Sequence, residues 1–279
     1  MTDKKERKPR FRAVKAYANE EFLASRDARA LRILAEYLEP ATRFERLGIK
    51  DTIVFFGSAR IASPERAAAE LAAAESGEGD LERARTKVDL ARFYEATREL
   101  AYRLTLWSKG MEGKEGHDRR FVVCSGGGPG IMEAASRGAS EARGANVGLG
   151  ISLADVEPAN TYVTRSLAFE FHYFFMRKLW FLYLAKAVVV MPGGFGTMDE
   201  LFEVVTLIQT FKIRKRLPIV LFGTDFWREV VNFEALVRYG TISPEDLKLM
   251  HATDSVDDAY AYIVRELTSH AIGNPGPSL

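Results

Sequence analysis

Residues 188–200, VVVMPGGFGTMDE, contain the pattern that decides the fold of this 279-residue chain. An apolar, β-branched run leads into a glycine-rich turn, and a helix-forming run follows. The stretch VVCSGGGPGIME at residues 122–133 has the same form, and TIVFFGSAR at residues 52–60 is a third strand that ends in a glycine turn. Because the strand-to-helix turns of a parallel sheet gather at its carboxyl edge, we expect the three turns to lie together.

Strands alternate with helices along most of the chain, which predicts an α/β fold: a Rossmann-like, doubly wound, mainly parallel sheet with helices on both faces. The predicted strands cover residues 52–56, 121–124, 146–151, 161–168, 187–191 and 218–222. The predicted helices cover about residues 19–39, 61–110 with a loop at 76–80, 130–143, 171–185, 197–211, 225–238, 244–249 and 255–268. Pro40 is expected to end the first helix, since proline lacks the N–H group that a helix needs.

The composition narrows the class of protein. The chain has 39 basic and 38 acidic side chains and a net charge of +1, so no global field attracts nucleic acid or an anionic membrane. Its single cysteine, Cys124, excludes an intramolecular disulfide, and we expect it to be buried in a strand. The basic N-terminus has no apolar signal region, and no apolar run is long enough to span a bilayer. We expect a cytoplasmic protein with neither nucleic-acid nor membrane partners.

The two long glycine turns do not match a dinucleotide-binding fingerprint, which needs Gly-x-Gly-x-x-Gly and then an acidic residue after the next strand. Counted from Gly126, Ile131 stands at the third glycine position, and counted from Gly194, Asp199 stands there. No Gly-Lys-Ser/Thr sequence follows either turn, which excludes a P-loop. A mononucleotide or a sugar phosphate remains compatible, because glycine permits close approach and a helix N-terminus offers N–H groups to an anion.

Two charged positions have both a structural and a functional interpretation. Glu200 either completes a capping box that starts at Thr197, or lies at the mouth of the ligand site. Arg177 and Lys178 belong to a predicted helix that is apolar nearly all round. They either reach the surface or pair structurally, or Arg177 faces a phosphate, which its planar guanidinium fits. The four histidines have no metal-ligand spacing, so we predict no metal.

Three motifs, taken in order and together with Met-Arg-Lys at residues 176–178, resemble the LOG ("Lonely guy") family of cytokinin riboside 5′-monophosphate phosphoribohydrolases, long labelled lysine decarboxylases. PGGFGTMDE at residues 192–200 fits the family's Pro-Gly-Gly-x-Gly-Thr-x-x-Glu. GGGPGIMEA at residues 126–134 looks like the bacterial version of its Gly-Gly-Gly-x-x-Gly turn, and FGSAR at residues 56–60 resembles its first-strand Gly-Ser turn. The resemblance spans about residues 50–268.

The resemblance implies an enzyme that hydrolyses the N-glycosidic bond of a purine nucleoside 5′-monophosphate to free base and ribose 5-phosphate, without a cofactor. Arg177 and Glu200 are implied to be the catalytic pair. The implied substrate-binding residues are Gly57, Ser58, Gly127, Gly128, Gly130, Met132, Glu157, Lys178, Gly193, Gly194, Phe195, Gly196 and Thr197.

The chain departs from the family pattern in two ways. Many members have Glu-Glu where this chain has Asp199-Glu200. The chain is also longer than the compact plant-type members, as the larger bacterial members are. Because of these departures, the sequence does not decide whether the base of the substrate is a cytokinin or another purine, such as the adenine of AMP.

We expect four segments along the chain. They are a disordered basic arm at residues 1–18, an N-terminal helical extension at 19–50, a Rossmann-like nucleotide-binding catalytic domain at 51–270, and a flexible tail at 271–279. Because the predicted helix at 171–185 has apolar residues facing many directions, we also expect a homodimer or a higher homo-oligomer.

Two alternatives from other classes stay open at the level of sequence. The first is a non-catalytic carrier of a nucleotide or of the molybdenum cofactor, since carriers of similar fold use the same sheet edge. The second is a pyridoxal-dependent decarboxylase, which would need a Schiff-base lysine near a phosphate site. Lys178 and Lys186 are the nearest lysines, and neither lies on a glycine turn.

Overall fold

The computed structural model describes residues 13–111, 118–152 and 160–277, which form an α/β structure around one seven-stranded sheet. The strands are β1 (Thr52–Phe56), β2 (Val122–Ser125), β3 (Asn146–Ile151), β4 (Ala168–Phe171), β5 (Ala185–Val190), β6 (Ile219–Phe222) and β7 (Met250–Thr253). The helices are α1 (Glu20–Ala24), α2 (Arg29–Arg46), α3 (Pro64–Glu75), α4 (Leu81–Lys109), α5 (Ile131–Glu141), α6 (Phe174–Tyr183), α7 (Phe195–Gln209), α8 (Thr224–Val230), α9 (Phe233–Arg238) and α10 (Val256–His270).

The strand order is β4-β3-β2-β1-β5-β6-β7, and all neighbouring strands are parallel. The chain winds outward from β1 through β4 on one side and continues from β5 through β7 on the other. This arrangement confirms the predicted Rossmann-like, doubly wound sheet. Its direction of winding reverses between β1 and β5, and in open α/β sheets ligands bind at the carboxyl edge of such a switch point.

Both faces of the sheet are covered by helices, as predicted. Side chains alternate across β1, so that Ile53 and Phe55 lie in one core with residues of α4, α5 and α10. Val54 and Phe56 lie in the opposite core with residues of α2, α6 and α7. This double burial explains why the strands are nearly continuous apolar runs and do not alternate with polar residues.

The prediction that Pro40 ends a helix is wrong, because α2 passes through it. Pro40 has no N–H to donate to the carbonyl of Glu36, one helical turn earlier. That carbonyl instead accepts a hydrogen bond of 3.0 Å from Nε1 of Trp180. The Glu36 carboxylate accepts the backbone N–H groups of His172, at 2.8 Å, and Tyr173, at 3.2 Å, at the start of α6. Glu36 therefore joins α2 to α6 through both its backbone and its side chain.

The predicted strand at residues 161–168 is also wrong, because the strand in this part of the chain is β4 and starts only at Ala168. The Asn146 side chain donates to the Tyr162 carbonyl at 2.9 Å, and the Asn146 N–H donates to Oγ1 of Thr164 at 3.1 Å. These bonds to β3 replace the ladder that a strand would form. The predicted helix at 171–185 consequently starts later, at Phe174.

Two further differences concern the last third of the chain. The predicted helix at 225–238 is split into α8 and α9, because the Asn232 side chain accepts the N–H of Ala235 at 2.8 Å and starts a new helix. The strand β7 was not predicted, since it is a short edge strand with polar residues at His251 and Thr253.

Some predicted segments fall outside the described residues. They are residues 1–12 of the basic arm, Glu157 among the candidate binding residues, and residues 278 and 279 of the tail. Within the described ranges, no helix combines the length and the apolar character that a membrane crossing requires.

The bond between Trp180 and the Glu36 carbonyl predicts a measurable coupling with Pro40. Trp180→Phe should lower the free energy of unfolding by about 1–3 kcal/mol, because it leaves a partly buried acceptor without its donor. In a Pro40→Ala background the loss should be smaller, since the alanine N–H can bond to the same carbonyl. Urea denaturation of the four proteins measures this coupling, and equal losses in both backgrounds would show that Trp180 stabilises α2 by packing alone.

Candidate active site

A cavity of about 590 Å³ lies at the carboxyl edge of the sheet, at the switch point between β1 and β5. Its volume is within the range of about 300–1,000 Å³ that is usual for small-molecule sites. The cavity is lined by Phe55, Phe56, Gly57, Ser58, Ala59, Arg60, Gly126, Met132, Arg177, Phe181, Gly194, Phe195, Gly196, Thr197, Met198 and Glu200. All three predicted turns therefore contribute to one site, together with α6 and α7.

Ser58 ties the three turns to one another. Its N–H donates to the carbonyl of Pro192 at 3.0 Å, and its carbonyl accepts the N–H of Ile131, the first residue of α5, at 3.1 Å. Gly130 allows this approach, because a Cβ at that position would lie 2.4 Å from the Ser58 carbonyl oxygen and its φ is +70°. The cavity thus has a rigid backbone frame before any ligand is present.

The two predicted catalytic residues form an ion pair in the cavity wall. Nη2 of Arg177 lies 3.2 Å from Oε1 of Glu200, and Glu200 is only 6% exposed. The Arg177 guanidinium also lies over the rings of Phe174 and Phe181, with centroid distances of 5.3 and 5.5 Å. Its Nε is buried and has no hydrogen-bond partner among the described residues. The pair is therefore held in place on the protein side, and one buried donor of Arg177 is left without an acceptor in the part of the chain that the structure describes.

Burial controls the protonation of this pair. Withdrawal from water raises the pKa of Glu200 to about 7, and the positive charges of Arg177 and Lys178 limit the rise. Burial likewise lowers the pKa of the Arg177 guanidinium, with the Glu200 charge acting in the opposite direction. A carboxyl group that is half ionised near neutral pH can both accept and donate a proton, which is the property required of a general acid or base.

The interpretation of Thr197 and Glu200 as a capping box is wrong. The helix α7 begins at Phe195 with Gly194 as its N-cap, so Thr197 already lies in the first turn and Glu200 in the next one. The first N–H groups of a helix have no acceptor within the helix, and here no side chain caps them. Gly193 does not line the cavity; a Cβ there would lie 2.1 Å from Oγ1 of Thr197, so glycine is needed to pack beneath the turn.

Lys178, a predicted binding residue, is not in the cavity wall. Its Nζ forms ion pairs with Asp199 at 2.8 Å and with Glu203 at 3.2 Å. Lys178 therefore has the structural role of an ion-pair partner, whereas Arg177, one position earlier, lines the cavity. The two residues form parallel contacts between α6 and α7, one inside the site and one outside it.

The turn after β2 reaches the cavity only through Gly126 and Met132. The predicted binding residues Gly127, Gly128 and Gly130 are not among the residues of the wall. Asn160 bonds to two of them, since its N–H donates to the Gly127 carbonyl at 2.8 Å and its Nδ2 to the Gly128 carbonyl at 3.0 Å.

The remaining predicted residues lie where the motifs suggested. Those in the wall are Gly57, Ser58, Met132, Arg177, Gly194, Phe195, Gly196, Thr197 and Glu200. The wall residues that were not predicted are Phe55, Phe56, Ala59, Arg60, Gly126, Phe181 and Met198. Five of these are members of the quoted motifs, and Phe55 directly precedes one of them. Phe181 lies one helical turn after Arg177, so helical spacing was the one signal that could have identified it.

Within the described ranges, no group of three or more His, Cys, Asp or Glu side chains is arranged to hold a metal ion. Cys124 is buried in β2, as expected. Burial and the nearby Glu200 charge both raise the pKa of its thiol, so it is an unreactive core residue.

Fold and cavity together define a Rossmann-like α/β protein with a small-molecule site at the switch point of its sheet. A family model described as "Possible lysine decarboxylase" matches residues 132–263, which include α6, β5 and α7. The match agrees with the resemblance to the LOG family that the motifs predicted. The comparison with curated proteins gives no match.

Several solved structures are similar to the chain. The X-ray structure of TM1055 is 21% identical and covers 77% of this chain and 99% of its own, with a TM-score of 0.47. A molybdenum cofactor binding protein from Rippkaea orientalis is 16% identical, with 77% and 96% covered and a TM-score of 0.48. The Moco carrier protein of Chlamydomonas reinhardtii is 19% identical, with 79% and 99% covered and a TM-score of 0.45. At these values the likenesses carry no argument about function, and the fold class rests on the strand order itself.

The raised pKa of Glu200 predicts how stability depends on pH. The carboxyl ionises at about 7 in the folded chain but near 4.5 when unfolded, so between these values the unfolded chain binds fewer protons. The contribution of Glu200 to the free energy of unfolding is therefore fully present below about pH 4.5, and it is lost as the pH rises to about 7. The Glu200→Gln variant has no carboxyl to titrate at this position. The free energy of unfolding of the wild type should therefore fall by up to about 3 kcal/mol relative to that of the variant across this range.

Urea denaturation of both proteins from about pH 4.5 to about pH 8 measures the difference. The unpaired Arg177 of the variant adds an offset that is nearly constant over this range, so the slope is the informative quantity. If the free energies of unfolding of the two proteins changed in parallel with pH, burial would not have raised the pKa of Glu200.

Proposed function

We propose that the chain hydrolyses the N-glycosidic bond of a purine nucleoside 5′-monophosphate, with a cytokinin or adenine as the base, and releases the base and ribose 5-phosphate. The observation that carries this proposal is the Arg177–Glu200 pair, buried in the wall of a cavity at the switch point of the sheet. The family match supports a nucleotide-related function.

The chemistry of this bond suits the single carboxylate of the cavity. An N-glycosidic bond breaks through an oxocarbenium-like sugar, as in glycoside hydrolysis, and a nearby anion stabilises that cation. Glu200 is the one carboxylate among the described residues of the wall. With a pKa of about 7 it can also take a proton from the attacking water. The base departs with the electron pair of the broken bond, and one proton, equal to the one removed from the water, neutralises it on release. Arg177 fixes the carboxylate through its Nη2, at 3.2 Å from Oε1 of Glu200.

The first turn of α7 supports a phosphorylated substrate. Gly194, Phe195, Gly196 and Thr197 line the cavity, and this turn contains no acidic side chain. Uncapped N–H groups and the positive end of the helix dipole favour an anion at this position. A 5′-phosphate bound there would fix the ribose close to Glu200, which lies one turn further along the same helix.

The family description names a lysine decarboxylase, which the wall does not fit. Pyridoxal chemistry needs a lysine that forms a Schiff base. None of the described wall residues is a lysine, and Lys178 is engaged with Asp199 and Glu203 outside the cavity.

Incubation of the purified protein with a panel of nucleoside 5′-monophosphates, followed by detection of free base, tests the proposal directly. AMP and a cytokinin riboside 5′-monophosphate represent the two bases, and adenosine is the matched substrate without phosphate. We expect cleavage of at least one monophosphate and little cleavage of adenosine. Binding of a nucleotide without release of base would instead favour a non-catalytic carrier.

Glu200→Gln should lower kcat by about 10²-fold or more, because it removes a preorganised charge without changing the side-chain volume. Asp199→Asn is the matched control, since it removes the neighbouring charge on the same helix from a side chain that is outside the cavity. We expect the control to keep kcat within a few-fold of wild type. Near-normal hydrolysis by Glu200→Gln, measured as base release at saturating substrate, would contradict the proposed mechanism.

We also propose that the chain forms a homodimer or a larger homo-oligomer. Phe174 and Phe175 on α6 are 51% and 52% exposed, although the same helix is otherwise packed against the sheet. Adjacent large apolar side chains in water are typical of an interface.

Phe175→Asp should therefore shift the protein towards a monomer. Phe211→Asp is a control at another exposed phenylalanine, which follows α7 and is 77% exposed. Light scattering at micromolar concentration distinguishes the states, and a monomeric wild type would contradict the proposal.

A further inference from the structure

The charges of the cavity wall do not balance. Among its described residues, three side chains are charged: Arg60, Arg177 and Glu200. Arg177 and Glu200 form an ion pair at 3.2 Å and largely compensate each other. No described side chain forms an ion pair with the Arg60 guanidinium, which leaves one positive charge in the wall without a counter-charge. A ligand with a negative group would supply it.

The backbone of Arg60 is fixed at the site, while its side chain is free to adapt. The Arg60 N–H donates to Oγ of Ser58 at 3.0 Å, and Ser58 is bonded to Pro192 and Ile131 through its own backbone. Arg60 itself is exposed. A long cationic side chain on a rigid turn can close on a ligand without any rearrangement of the fold.

The anionic group of the proposed substrate is its 5′-phosphate. The uncapped first turn of α7 lines the same cavity as Arg60, and both favour an anion. Arg177 is less suited to this role, because its Nη2 is already engaged by Glu200. A planar guanidinium forms paired, charge-assisted hydrogen bonds with a phosphate, which are among the stronger polar contacts in proteins.

We infer that Arg60 binds the 5′-phosphate together with the first turn of α7, and that Arg60 makes the site select a nucleoside monophosphate over the neutral nucleoside. This inference rests on the proposed function for the identity of the substrate. It assigns Arg60 to substrate binding and selection, and leaves bond cleavage to Arg177 and Glu200.

Calorimetric titration with ribose 5-phosphate, AMP and adenosine tests the inference without requiring turnover. Arg60→Gln should weaken the binding of ribose 5-phosphate and AMP at least about tenfold and leave adenosine unchanged, since only the phosphorylated compounds lose a charge-assisted contact. Arg60→Lys should recover part of the loss, because an ammonium retains the charge but not the fork. In turnover, the Arg60→Gln change should appear in KM, with kcat nearly unchanged.

Arg66→Gln is the matched control, since Arg66 is a nearby exposed arginine that pairs with Glu70 on its own helix and does not line the cavity. It should bind all three compounds like wild type. Unchanged AMP affinity in Arg60→Gln, or an equal loss for AMP and adenosine, would overturn the inference.

The test separates this inference from the proposed function. If wild type binds AMP but releases no base, and Arg60→Gln loses that binding, the hydrolase proposal fails and the role of Arg60 stands. If wild type cleaves AMP and Arg60→Gln keeps its KM, the role of Arg60 fails alone. A wild type that binds neither AMP nor ribose 5-phosphate would overturn both.

Discussion

The burial of Glu200 is the constraint on which the site depends. A carboxylate withdrawn from water costs several kcal/mol unless a cation is held beside it. The chain supplies that cation through its topology: α6 runs towards the amino edge of the sheet, β5 returns to the carboxyl edge, and α7 starts there. The early turns of both helices consequently meet at the same edge, where Arg177 and Glu200 come within 3.2 Å. Each residue is positioned by a different helix, and the strand between them sets the distance.

The fold was largely predictable because its strands are short apolar runs bounded by glycine turns, and β1 and β3 have the bounds that the sequence indicated. The predictions of secondary structure were wrong where hydrogen bonds to residues distant in sequence replaced local hydrogen bonds. Pro40 stays in a helix because Trp180, distant in sequence, donates to the carbonyl that the proline leaves free. Likewise, the segment before β4 has the composition of a strand, but the side chain and backbone of Asn146 take its hydrogen bonds. A local sequence pattern cannot predict either of these hydrogen bonds, because their partners are distant in the sequence.

The candidate site was predictable to the extent that it follows motifs. The glycine turns and the two charged helix positions indicated which elements meet, but not which side of each turn faces the cavity. Gly127 and Gly128 were expected to bind substrate, yet they do not line the cavity, and their carbonyls accept hydrogen bonds from Asn160. Arg177 and Lys178 are adjacent in sequence, and only the packing of α6 on α7 decides which of them enters the wall. Arg60 belongs to one of the motifs, and its inferred role depends on the balance of charge among the side chains of the cavity wall, which the sequence does not show.

Glu36 connects α2 to one wall of a cavity that α2 does not line. Its carboxylate receives the N–H groups that precede α6, and the next turn of α6 contains Arg177. The segment before β1 therefore contributes hydrogen bonds to the helix that contains Arg177. A fragment that began at β1 would retain every residue of the cavity wall and lose the anchor that orients one of them. The structural unit that positions Arg177 is therefore larger than the Rossmann-like core.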